Sequence, residues 1–135
     1  MNKIIKSVAF VFFISFNAFT QDCEIPVNIC KKNLRDFISD GQVYKASLGK
    51  EKVEFKSTFF GGFTYRVTAS TGTSENVIFT VKDLKGNVLF SNKAHKKSPF
   101  WDFYITKSLT VIIETEFVLD KKTSGCAVML IGFHK

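Results

Sequence analysis

The chain has 135 residues, is 45% hydrophobic and 15% aromatic, and carries a formal charge of +7. That length supports one domain with a real core and leaves little room for a second. Its basic residues fall singly or in isolated pairs (Lys31-Lys32, Lys96-Lys97, Lys121-Lys122), which excludes the clustered footprint of a nucleic-acid binder.

The first residues read as a targeting signal. Lys3 and Lys6 form a positive end, and Val8 to Phe19 is apolar except for Ser15 and Asn17. This run is far below the roughly 20 residues of a spanning helix, so export and cleavage are expected. Ala18-Phe19-Thr20 supplies a small-x-small pattern before Gln21. Asp22 precedes Cys23 where a lipid-anchor signal wants a small residue, which argues against lipidation. Losing residues 1–20 removes Lys3 and Lys6 and no acid, so +7 becomes +5 on the remaining 115 residues. Residues 21–135 are then expected to form a single β-sandwich domain, periplasmic or extracellular, with no transmembrane segment.

The mature chain opens on an irregular lead-in, where Pro26 discourages an early helix. Cys30, Leu34, Phe37 and Ile38 then recur at helical spacing, with Lys31, Lys32, Arg35 and Asp36 on the other face. The spacing predicts one short helix over about 28–39, with Asn28 as N-cap and Gly41 as the closing glycine. Such a helix must owe its stability to packing on a sheet.

After Gly41 the period drops to two. Strands are predicted over Gln42–Leu48, Lys52–Phe60, Phe63–Ser70, Val77 to Asp83, Val88–Ser91, Phe100–Ile105 and Leu109–Phe117, and over Cys126–Phe133. The stretch around Gly61-Gly62 is central. Val53, Phe55 and Phe59 precede it at even spacing, Phe63, Tyr65 and Val67 follow it, and the pair reads as a turn or bulge between two strands. Cys126–Phe133 is apolar on both faces and belongs in the middle, with the opposite sheet on one side and the helix on the other. The fold class that follows is mainly β: an antiparallel, jelly-roll-like sandwich of about eight strands with one short N-terminal helix.

Cys23, Cys30 and Cys126 make an odd count, and export favours a disulfide. Cys30 lies on the apolar helix face and Cys126 opens the strand that the helix is expected to cover. Cys30–Cys126 is therefore the expected bridge, with Cys23 free, while Cys23–Cys30 and Cys23–Cys126 remain open. No C-x-x-C occurs, and His95 and His134 stand far from any partner in sequence, so no metal or other cofactor is expected.

Gly61-Gly62-Phe63-Thr64-Tyr65-Arg66, Asp83-Leu84-Lys85-Gly86-Asn87, Trp101-Asp102-Phe103 and Ser124-Gly125-Cys126 together resemble small exported bacterial β-sandwich proteins that carry these four motifs. More distantly, the strand order is similar to pre-peptidase C-terminal and GOLD-type sandwich domains. The resemblance implies an accessory or interaction module, by analogy of fold.

Candidate sites are few. Glu114 and Glu116 lie two apart on one strand face, at about the 5–9 Å of glycosidase carboxylate pairs. They carry the alternative reading of a small glycan-active hydrolase, although charged pairs on an outer strand face are ordinary. Asp83 and Asn87 read as a turn rather than calcium ligands, since Lys82 and Lys85 sit among them. Ser47, Ser57 and Ser108 lack a nucleophile elbow. Trp101 shares a face with Phe103 and Ile105 and reads as core. Phe100, Asp102 and Tyr104 take the opposite face, and with Arg66 and Trp101 they form the candidate binding patch. Fifteen aromatic side chains in the mature chain are many for one core layer, which points to a binding face. The leading reading is a non-enzymatic exported module that binds a protein or glycan partner.

Overall fold

A computed structural model describes residues 23–47, 52–72, 77–117 and 126–135. The expected signal peptide, the Gly49-Lys50 turn and the Asp120–Gly125 turn lie outside these residues. The elements are α1 (Glu24–Leu34), β1 (Ile38–Ser39), β2 (Tyr44–Ser47), β3 (Val53–Phe59), β4 (Thr64–Ser70) and β5 (Val77–Lys82). They continue with β6 (Val88–Ser91), a 3-10 turn (Asn92–His95), β7 (Phe100–Tyr104), β8 (Leu109–Phe117) and β9 (Cys126–His134).

The strands form two antiparallel sheets. One runs β1-β9-β4-β7, with β2 also paired to β9, and the other runs β3-β8-β5-β6. β1 meets β9 at Phe133 and Gly132, and β2 meets it from Met129 to Cys126, so the two act as one edge strand broken at residues 40–43. Interleaving early and late strands in both sheets is jelly-roll connectivity, as the sequence pattern predicts.

Period-two alternation places the faces as expected. Phe59, Val67, Phe79, Val111, Ile113 and Met129 are buried between the sheets, with Val53, Phe55, Phe63, Trp101 and Phe103 packed around them. β9 is covered on both sides. Its Met129 and Ile131 face the opposite sheet, while Cys126, Val128 and Leu130 lie under α1 against Cys30 and Leu34.

Two expectations are corrected. The helix spans 24–34 rather than 28–39. Pro26 falls in its first turn, where a missing N–H leaves nothing unpaired, so it does not delay the start. The chain leaves the helix at Arg35, which takes a φ of +51°, and pairing with β9 claims residues 38–39. Asn28 is thus inside the helix, and Gly41 (φ +86°) belongs to the break between β1 and β2.

Gly61-Gly62 is a turn between two strands, as expected, but the strands it joins do not pair, because β3 and β4 belong to different sheets. It hands the chain from one sheet to the other. A Cβ on Gly61 would stand 2.7 Å from the Thr106 carbonyl oxygen, so only glycine fits that crossing. Gly62 N–H donates to the Ile105 carbonyl at 2.7 Å and Ile105 N–H to that of Phe63 at 3.0 Å, locking the handover. The segment from β5 to β6 is a hairpin. There Asp83 accepts from the Asn87 side chain and from the backbone of Lys85 and Asn87, so its carboxylate builds the turn.

The second correction is the disulfide, which joins Cys23 to Cys126, with Cα atoms 5.3 Å apart, and leaves Cys30 as the free thiol. Starting the helix at Glu24 sets Cys23 at its N-terminal end, over the start of β9. Cys30 lies two turns on and its Sγ–H points to the Val128 carbonyl at 3.5 Å instead. Burial pushes its thiol up to about 11, which keeps it protonated and inert.

Candidate functional site

The register between β4 and β7 sets Arg66 opposite Asp102, Thr64 opposite Tyr104 and Thr68 opposite Phe100. Phe100, Asp102, Tyr104 and Arg66 therefore share the outer face, as the alternation requires. Arg66 donates Nε–H to Asp102 Oδ1 at 2.6 Å and Nη2–H to Oδ2 at 2.9 Å. Its Nη1–H reaches the Asn33 carbonyl at 2.9 Å, one of the carbonyls left open by the helix end. The rings of Phe37 and Phe100 lie 4.3 and 4.5 Å from its guanidinium carbon. Edges and faces of the guanidinium are thus both occupied, and the Asp102 bond holds it still more firmly protonated. Arg66 clamps α1 to the sheet. Of this group Tyr104 is the side chain most open to solvent, at 70% exposure.

Trp101 points the other way, toward Phe103 and Ile105. Its ring stacks on Phe90 at 4.9 Å and meets His95 at 4.3 Å, while His95 itself stacks on Phe90 at 5.1 Å. β6 and β7 are the edge strands of their sheets on this side. The aromatic cluster closes the gap between them, and Trp101 is half-buried within it.

The carboxylate pair is also engaged. Glu114 accepts from Lys82 Nζ at 2.7 Å and lies 3.2 Å from Lys52 Nζ, which is also 3.9 Å from Glu116. The hydrogen bond from Lys82 holds its carboxyl below the usual glutamate range. A glycosidase acid needs the opposite shift. Because the folded value is the lowered one, this stabilisation is present above the ordinary glutamate range. It is lost as pH falls through the lowered value. Urea unfolding should therefore show a larger loss of stability between about pH 7 and about pH 3 in the wild type than in Lys82→Met. Equal losses would show that this pair does not couple stability to pH.

A different place was not found from sequence. Asp40, Ser57, Thr58, Phe60, Phe63, Tyr65, Ile131 and Phe133 line a cavity of about 350 Å³ between the sheets. The exposed Asp40, Thr58 and Phe60 form its rim, and the buried Tyr65 and Ile131 its floor. It opens where the edge strand is broken: Asp40 N–H still bonds the Ile131 carbonyl, and Gly41 then turns the chain away. The signal in the sequence was Asp40-Gly41-Gln42, which reads equally well as the end of a helix. Phe63, Tyr65 and Phe133 stand at mutual ring distances of 5.9, 6.2 and 6.5 Å around the cavity. Tyr65 Oη accepts from the Phe60 N–H at 2.8 Å, which fixes the rim to the floor.

Among the described residues no group of three or more His, Cys, Asp or Glu is placed to hold a metal ion. Nor among them is any helix long and apolar enough to cross a membrane. No protein-family profile and no curated protein matches the chain. Among solved structures it is similar to the crystal structure of Aeromonas hydrophila PliG, a periplasmic lysozyme inhibitor of g-type lysozyme. The TM-score is 0.53 at 14% identity, over 74% of this chain and 90% of that one. A likeness at that identity is one of fold.

Proposed function

We propose that this chain is an exported, non-enzymatic jelly-roll module that binds a protein partner in the cell envelope, and that the partner is a lysozyme. The observation that carries the reading is a pair of open aromatic side chains at one end of the sandwich. Phe60 is 57% exposed and Tyr104 is 70% exposed. Both sit on backbone locked by the Gly61-Gly62 handover and by the bond from Gly61 N–H to Ser108 Oγ at 2.9 Å. Rigid, solvent-facing aromatics lose little conformational entropy on binding and are typical anchors of protein interfaces. The disulfide suits an oxidising compartment. The fold likeness to a periplasmic lysozyme inhibitor supports the choice of partner.

Purified secreted protein should inhibit cell-wall lysis by a g-type lysozyme. Phe60→Ala and Tyr104→Ala should each weaken inhibition about tenfold or more, the scale of a hot-spot truncation. Undiminished inhibition by the double variant would remove this end of the sandwich from the interface. Absence of inhibition by the wild type would remove lysozyme as the partner.

A further inference from the structure

We infer that the cavity behind the Phe60 rim is a receptor for an arginine side chain. The partner protein as the source of that arginine rests on the reading above; the chemistry of the cavity does not.

The walls favour a cation on an apolar stem. Phe60, Phe63, Tyr65 and Phe133 supply aromatic surface, and ring faces attract guanidinium and ammonium groups. The volume, about 350 Å³, falls within the roughly 300–1,000 Å³ of small-ligand pockets. Asp40 is the one acidic side chain in the lining. In a chain of formal charge +7, no cation among the described residues lies within ion-pair distance of it. An uncharged occupant would cover this carboxylate and leave its charge without a partner.

The carboxylate is also oriented and half used. Gln42 N–H donates to Oδ1 and Tyr44 Oη–H to Oδ2, each at 2.9 Å. A carboxylate has about four lone-pair positions, so one remains on each oxygen. Two acceptors side by side match the planar fork of a guanidinium, whereas an ammonium uses them as a point charge. Tyr44 keeps its proton across the physiological range, because burial and then the bond to Asp40 push its hydroxyl up to about 12. It acts as a positioning residue. The Phe55 ring, edge-on at 5.3 Å, holds the Tyr44 ring in place.

The test is an NMR titration of the isotope-labelled secreted protein with Nα-acetyl-arginine methylamide. Amide shifts should concentrate at Asp40, Gly41, Gln42, Phe60 and Phe133. The neutral citrulline and norleucine analogues should bind at least tenfold more weakly, and the lysine analogue more weakly than arginine. Asp40→Asn, at an exposed position, should reduce arginine binding at least tenfold while leaving the melting temperature near that of the wild type. Equal binding of the norleucine or citrulline analogue overturns the assignment, as does undiminished arginine binding to Asp40→Asn. A spectrum unchanged by the arginine derivative at roughly tens of millimolar, weaker than the weakest useful affinities, also overturns it. Since the probe is a small molecule, this titration and the lysis assay succeed or fail separately.

Discussion

Cys126→Ser is expected to lower stability by about 4–5 kcal/mol, the loop-closure contribution of a bridge spanning roughly a hundred residues. The sequence separation between Cys23 and Cys126 is 103. The bridge fixes the start of α1 to the start of β9. An 11-residue helix is too short to persist alone, so without the tether it relies on the contacts of Val27, Cys30 and Leu34 with β9 and on the Arg66 bond to Asn33. A loss of this size is a large part of the roughly 5–15 kcal/mol that holds a domain together. Urea unfolding with and without reductant decides the matter. Reductant should destabilise the wild type and Cys30→Ser alike, and leave Cys126→Ser unchanged. If Cys30→Ser abolishes the response to reductant, the bridge is one that includes Cys30 instead.

Asn92→Ala should cost about 3–5 kcal/mol, far more than a loop asparagine ordinarily contributes. Asn92 is fully buried. Its Oδ1 accepts from the Phe79 N–H at 3.0 Å, and its Nδ2–H groups reach the carbonyls of Val77 at 2.9 Å and Ser98 at 3.0 Å. One amide thereby joins β5 to the 3-10 turn and to the lead-in of β7, and so ties the two sheets at this edge. Alanine removes three hydrogen bonds at once and leaves backbone groups without partners or water, at about 1–3 kcal/mol for each group left unsatisfied. Asn92→Asp keeps an acceptor for Phe79 but loses both donors, and brings a charge into the core. It should therefore rescue nothing. A loss below about 1 kcal/mol in Asn92→Ala, the size of a single net hydrogen bond, would contradict this account.

Neither result follows from local pattern. Asn92 opens a polar run, Asn92 to Pro99, that looks like surface loop in sequence. Only folding brings the Phe79 N–H to its Oδ1 and the carbonyls of Val77 and Ser98 to its Nδ2. The candidate patch divided in the same way. Period-two spacing put Phe100, Asp102 and Tyr104 on one face and Trp101 on the other. It did not show that Arg66 is held by Asp102, Phe37 and Phe100, or that Trp101 is covered by Phe90 and His95, because those partners come from other elements.

What the sequence determined by itself is which side chains leave water. Alternation in Val53–Phe59, Phe63–Val67 and Leu109–Ile113 marks the inner faces. The two-sided apolarity of Cys126–Phe133 makes β9 the covered centre of its sheet, with α1 above it. These are consequences of strand and helix period, and they hold wherever the strand ends up. The tertiary structure decided which strands are neighbours, and with them the Gly61-Gly62 handover, the choice of Cys23 over Cys30, and the Asp40 cavity. All three depend on where segments far apart in the chain meet. A four-residue shift in the helix start is enough to exchange one cysteine for another over Cys126. The loss of pairing at residues 41–43 opens the space between the sheets because β9 offers its edge to β1 and β2 in two separate places.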